Sequence, residues 1–261
     1  MSSVLTVRCT VHRTDGDWFA SRCQASIGDS SAMATSTTRT QPRGFLSREL
    51  IIEKALALLD PRGPGALSMR RLADHLGVAP NALYTHVRSK ADLVDGLIDQ
   101  VYAGVELDPD PTKDWTEQLA AISHDVRVQL LAHPAVVPYA IQQPGLGPNS
   151  LRLGEAIYGV LRPAGFSDQA TVGIVYALLT YILGFVALEI PRAGTDPQTS
   201  DEFVHRLHGF FAALPPGEFP HTVQLAPLLA RISTEDQFQL GIQTFIAGLQ
   251  TQQPQRRHVG A

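Results

Sequence analysis

From Ser47 onward apolar residues recur at three- and four-residue steps, and Ile51, Ile52, Ala55, Leu56, Leu58 and Leu59 fall on one helical face. Asp60-Pro61-Arg62-Gly63-Pro64-Gly65 ends that helix, because Pro and Gly do not continue it. Ser68 is placed to cap a second helix whose inner face is Met69, Leu72, Ala73 and Leu76. Gly77 stops it with a left-handed cap. A third short helix begins near Ala79-Pro80, where Pro suits the first turn, and turns Leu83 and Val87 inward. Ser89-Lys90-Ala91-Asp92 has capping-box spacing and opens a longer helix carrying Leu93, Val94, Leu97, Ile98 and Val101. Three short helices thus precede a longer one.

Past the loop Leu107–Lys113, Asp114-Trp115-Thr116-Glu117 repeats the capping-box spacing. Helical periodicity follows at about 115–132, 149–162, 167–190, 198–213, 222–231 and 235–250. There is no useful strand-period run and no internal repeat, so the fold class is all-α. Residues 1–44 show no sustained period, and Gly28–Gln41 is rich in Ser and Thr, which reads as a flexible N-terminal tail. Met33 offers an alternative start, since every segment with a folding pattern follows it. The expected layout is a tail over 1–44, a three-helix domain over 45–90, a larger helical domain over 91–250 and a second tail over 251–261.

Ala170–Leu188 is nineteen uncharged residues in a row, long and apolar enough for a membrane span. Thr171, Tyr176, Thr180 and Tyr181 interrupt it, its neighbouring helices are too polar to span, and only Arg162 and Arg192 lie nearby as candidate anchors. A soluble helix buried on every side is the better reading, with a membrane-anchored protein as the rival. Phe238, Ile242, Phe245, Ile246 and Leu249 form one apolar stripe on the last helix.

The formal net charge is −4, which on its face disfavours a polyanion partner. Mapped along the chain it divides. Residues 39–90 hold nine Lys/Arg against four acids, a net of +5, and residues 91–250 hold seven against eighteen, a net of −11. Only the first part is suited to approach nucleic acid. Cys9 and Cys23 both lie near the N-terminus and form no metal-ligand pattern, so a reduced cytoplasmic protein is expected.

The segment Leu67–Lys90, LSMRRLADHLGVAPNALYTHVRSK, places two short helices around a tight turn at Gly77-Val78, which is a helix-turn-helix. Leu72, Leu76, Val78 and Leu83 hold the two helices together. Pro80, Asn81, Ala82 and Thr85 then face the base edges of a major groove, while Tyr84, His86 and Lys90 reach phosphate oxygens along one rim. No Gly-rich phosphate loop follows a strand and no nucleophile elbow is present, so neither an enzyme nor a cofactor is expected. Glu202, His205 and His208 share one helix face, but three such residues on an ordinary surface helix are usually solvated side chains; no metal site is assigned.

Leu72-Ala73, Leu76-Gly77-Val78, Leu83-Tyr84, His86 and Lys90 together resemble the helix-turn-helix of the TetR family. The resemblance continues through Gly147-Pro148-Asn149, Ala164-Gly165-Phe166-Ser167 and Phe238, Gly241, Gly248 and Leu249, which look like a tetracycline-repressor type of C-terminal domain. It implies a homodimer on palindromic operator DNA, with Ser68, Tyr84, His86 and Lys90 on phosphates and Arg70 reading a guanine. It also implies that the 170–189 helix and the last helix build a four-helix bundle between subunits, and that a small molecule bound in the body releases the DNA. An activator or a ligand-independent regulator would share these motifs. Positions matching the tetracycline contacts hold Glu106, Ile122, Val126 and Ile141, so tetracycline is not the expected signal. Tyr102, His124, Tyr139, Gln142, Tyr176, Thr180 and Tyr181 are the polar candidates on inward faces, suited to an aromatic or lipophilic effector.

Overall fold

A computed structural model of the chain describes residues 46–60, 63–107, 112–143, 145–193, 197–229 and 234–253, all within one unit, Phe45–Ala261. Local capping starts the helices where the sequence predicts. Ser47 Oγ accepts from Leu50 N to begin α1 (Arg48–Leu59), and Ser68 Oγ accepts from Arg71 N to begin α2 (Met69–Leu76). Gly77, at φ 66°, closes α2 in the left-handed region, with Val78 N on Ala73 O and Gly77 N on Asp74 O, a Schellman stop that sets the tight turn. The third helix is shorter than expected. α3 spans only Pro80–Leu83, and the chain continues as turns in which Val87 N still reaches Leu83 O.

α4 (Lys90–Tyr102) begins at Ser89, whose Oγ accepts from Asp92 N. The reciprocal half of that capping box is missing, because Asp92 is too heavily engaged elsewhere: it takes Arg48 on α1 at 2.8 Å and the Arg88 backbone N–H at 2.7 Å. The Arg48 hydrogen bond is the main reason its carboxyl sits below the usual range. At the start of α5 (Trp115–Ala132) the capping box is complete, with Asp114 accepting from Thr116 N and Glu117 N and Glu117 accepting from Asp114 N.

One further helix was hidden by its prolines. α6 (Val137–Gln142) is only six residues in a Pro-containing stretch that carries no helical period. Then come α7 (Pro148–Leu161), α8 (Asp168–Ala193), α9 (Pro197–Ala212), α10 (Pro220–Leu229) and α11 (Thr234–Gln252). The described residues contain no strand. Residues 1–44 and 254–261, which cover most of the expected tails, lie outside the described residues. The last helix passes the expected end at 250, and the Gln253 amide donates to Ala164 O at 2.7 Å.

A single apolar cluster runs from Ile51 to Leu249. α4 joins its two parts, packing on α1 and also on α5, α6 and α7. α8 buries Ile174, Val175, Leu178, Ile182 and Val186 against the body. By length and composition Asp168–Ile190 meets the test for a membrane span. It is not buried all round in the protomer: Val172, Tyr176, Thr180, Gly184 and Leu188, at four-residue steps, stay exposed.

Candidate nucleic-acid interface and cavity

The helix-turn-helix rests on four fully buried side chains, Leu72 and Ala73 from α2 with Leu83 and Val87 after the turn. With these four inside, the polar residues are forced outward. Arg70, Pro80, Asn81, Thr85, His86 and Lys90 are exposed, Tyr84 is half exposed and Ala82 and Ser68 are partly covered. Two of the nine have internal duties: Ser68 caps α2, and Thr85 Oγ1 donates to Ala82 O at 2.7 Å, which ties its hydroxyl to its own turn. Among the described residues no hydrogen bond or ion pair holds Arg70 back, whereas Arg71 Nη1 donates to Gly65 O at 3.4 Å. Lys90 opens α4, and α4 extends about 20 Å toward the body.

The body holds a cavity of about 570 Å³ between α5 and α7. α5 lines it with Gln118, Ala121, Ile122 and Asp125, and α7 faces it with Glu155, Ala156, Gly159 and Val160. Glu106 and Leu107, just beyond α4, close one end, and Lys113 stands at the rim. Glu106 and Ile122 are two of the positions at which the sequence departs from the tetracycline-binding pattern.

None of the seven polar candidates lines this cavity. Tyr102 is buried in the core, and burial pushes its phenol up to about 12. The Tyr139 hydroxyl donates to Pro64 O, tying α6 to the segment between α1 and α2. Gln142 is exposed and donates to Pro138 O on its own helix. Tyr176 and Thr180 lie on the outward stripe of α8. Tyr181 stacks on Phe238 and donates to Phe238 O. His124 Nδ1 lies 3.9 Å from Glu235 Oε1, outside hydrogen-bond distance. Apart from Glu106 and Ile122, the cavity residues were missed by sequence reading, yet they carry a signal: 118, 121 and 125 complete with 122 an i, i+3, i+4, i+7 stripe beside the core stripe of α5, and 155, 156, 159 and 160 form its counterpart on α7.

Cavity and helix-turn-helix are joined through α4. Asp99, buried on α4, accepts from Asn149 N at 2.8 Å and Ser150 N at 2.9 Å through Oδ1, and from Asn149 Nδ2 through Oδ2. A side chain of α4 thereby caps the start of α7, whose later turns wall the cavity. Gly147 is required beside it, since an added Cβ would stand 2.3 Å from the Asp99 carboxyl. Asp99→Ala strands these donors and is expected to cost about 1–3 kcal/mol by denaturant unfolding. A midpoint unchanged from wild type would show that the cap contributes nothing.

Short helices around a left-handed glycine turn, exposed cationic and polar side chains beyond it, and a helical body with a ligand-sized cavity define the class of one-component helix-turn-helix regulators. Residues 51–97 match the family model described as bacterial regulatory proteins, tetR family, and residues 108–253 match tetracyclin repressor-like, C-terminal domain. A helix-turn-helix transcriptional regulator of Saccharopolyspora erythraea is 35% identical over 152 residues, 58% of this chain and 64% of that protein. The class E tetracycline repressor of Escherichia coli is 29% identical over 215 residues, 82% of this chain and 95% of that protein. The crystal structure of the Streptomyces coelicolor TetR family protein ActR in complex with actinorhodin superposes with a TM-score of 0.75 at 32% identity, covering 81% of this chain and 98% of that one. The chain belongs to the TetR family of DNA-binding transcriptional regulators. Members of the family are soluble and bind operator DNA as dimers.

Proposed function

We propose that this chain is a cytoplasmic repressor, without enzymatic activity, that holds a palindromic operator as a homodimer and leaves it when a small molecule fills the cavity between α5 and α7. The observation that carries the reading is the single helix α4, with Lys90 at its first turn, Asp99 capping the cavity wall α7, and Glu106 beyond its end on the cavity. A ligand that shifts α7 or the end of α4 thereby acts on the orientation of the helix-turn-helix. It lowers operator affinity by its preference for the released arrangement.

In this reading Tyr84, His86, Lys90 and Ser68 contact phosphates, Arg70 pairs with a guanine, and Pro80, Asn81, Ala82 and Thr85 face base edges. Ser68 and Thr85 contribute through surface fit, their hydroxyls being engaged within the protein. The test begins with a genomic-fragment selection using the purified protein, which is expected to return a palindrome with half-sites about one helical turn apart. On that operator, Tyr84→Phe with Lys90→Ala is expected to weaken binding to all sequences alike and to lower the salt slope by about 1 per lost phosphate contact. Arg70→Ala is expected instead to relax preference at one base pair by about 1–3 kcal/mol. No enriched site, or an unchanged salt slope, would refute the DNA assignments.

A further inference from the structure

The cavity lining combines small apolar residues with acids. Ala121, Ile122, Ala156 and Val160 present small aliphatic surface, while Glu106, Asp125 and Glu155 enter from three different segments. Among the described residues none of the three carboxylates makes a hydrogen bond or ion pair. Arg127, two residues beyond Asp125 on α5, is turned the other way onto Glu189 and Glu235 and is not available to them. Lys113 at the rim is the single basic lining residue and has an interaction of its own. Glu106 and Glu155 are exposed and Asp125 is partly buried, so the lining turns net negative charge toward any molecule seated on its apolar residues, and a cation is the charge it favours.

Resting on the reading of this cavity as the effector site, we propose that the effector is an organic cation: a flat aromatic or aliphatic body on the Ala121, Ile122, Ala156 and Val160 surface, with a protonated amine drawn by the summed negative charge of Glu106, Asp125 and Glu155 rather than held by all three at once. The volume of about 570 Å³ suits a molecule of two to four fused rings. A bare metal ion is the wrong cation, because among the described residues no three His, Cys, Asp or Glu side chains converge closely enough to hold one. Asp125 adds support from its surroundings. Burial, with Glu106 beside it and against the opposing influence of His124, holds its carboxyl above the usual range, as expected of a charge awaiting its counter-ion.

Three probes with one ring system and different charge test this: 9-(aminomethyl)anthracene, 9-anthracenemethanol and 9-anthracenecarboxylate, titrated at pH 7 into the full-length protein. The expected result is that the amine binds at least about tenfold more tightly than the alcohol, an advantage of roughly 1.4 kcal/mol, and the carboxylate most weakly. Asp125→Asn with Glu155→Gln is expected to level the three. Without ligand, Asp125→Asn is expected to raise Tm at neutral pH, because a folded carboxyl with a raised pKa favours stability only at low pH and opposes it as pH rises through that value. Gly159→Trp, which places an indole in the cavity where an added Cβ meets nothing, is expected to abolish all three bindings. Equal binding of the three probes that Gly159→Trp abolishes would overturn the cationic effector and leave the cavity as the effector site. Binding indifferent to Gly159→Trp, or no binding of the amine, would overturn both.

Discussion

Arg127→Met is expected to destabilise the body by about 3–5 kcal/mol, lowering Tm by roughly 6–20 °C. The Arg127 side chain is almost wholly buried on α5. Its guanidinium meets the equally buried Glu189 of α8 through two parallel bonds, Nε to Oε2 at 2.9 Å and Nη2 to Oε1 at 2.6 Å. It also pairs with Glu235 at the start of α11 and lies 4.9 Å over the Phe238 ring. Removing the guanidinium leaves Glu189 charged and without its partner in an apolar surround, and that stranded charge is the main cost. The size of the effect comes from desolvation rather than from a lost surface pair, since exposed pairs contribute about 0–1 kcal/mol. Arg127→Met with Glu189→Leu therefore should recover most of the loss, as apolar residues replace the whole pair. Denaturant unfolding of the two singles and the double measures this, and a double variant as unstable as the sum of its singles would contradict it. The pair also has a pH signature. Burial opposes ionisation of Glu235, but hydrogen bonds from Gln239 and Arg127 outweigh it and hold its carboxyl below the usual range. The associated stability is present above the unfolded value, near 4.5, and is lost as pH falls through the lower folded value.

What the sequence made legible and what it concealed divide along the range of the interactions. Ser47, Ser68, Gly77, Ser89 and Asp114 act within five residues of themselves, so the starts and stops of α1, α2, α4 and α5 could be read directly. The helix-turn-helix is made almost entirely of such short-range chemistry, and its outward residues follow once Leu72, Ala73, Leu83 and Val87 are placed inside. Arg127 joins residues 62 and 108 positions away, and nothing local marks it as buried. The cavity failed to show for the same reason. Its lining is two helix faces that meet only after α5 and α7 pack, and Asp125 and Glu155 look like ordinary surface acids along the chain. The tyrosines chosen as ligand handles stood out for having a polar atom on an apolar face. That same property lets Tyr139 bond Pro64 O and Tyr181 bond Phe238 O, so the fold itself consumes them. Tyr176 and Thr180 lie away from the cavity for another reason. A helix apolar all round does not declare which side faces its own core.

That outward side of α8 sets the second large effect: Leu188→Glu with Leu240→Glu is expected to convert the dimer to a monomer and to weaken operator binding by about 10²–10⁴-fold. Val172, Tyr176 and Leu188 on α8 and Leu240 on α11 are among the most exposed large apolar residues of the protomer. The same stripes carry Gly173, Ala177, Gly184, Ala247 and Gly248, all exposed, and small residues of this kind let two helices approach closely. α8 and α11 already touch within the protomer through their aromatic side chains. Tyr181 rests on Phe238, and Gly241 leaves the room for it, since an added Cβ would stand 1.9 Å from the Tyr181 oxygen. In the proposed homodimer a two-fold axis would bring the pair against its copy as four helices, each stripe meeting its symmetry mate. Two glutamates per protomer place four carboxylates in that seam, where partners are absent and water is excluded. Each half-site contact survives in the monomer, so the loss on DNA is the loss of linked binding and not of the helix-turn-helix itself. Sedimentation equilibrium with operator titration separates the two: a monomeric variant that binds a single half-site as wild-type protein does fits the bundle, and a variant that stays dimeric places the subunit contact elsewhere.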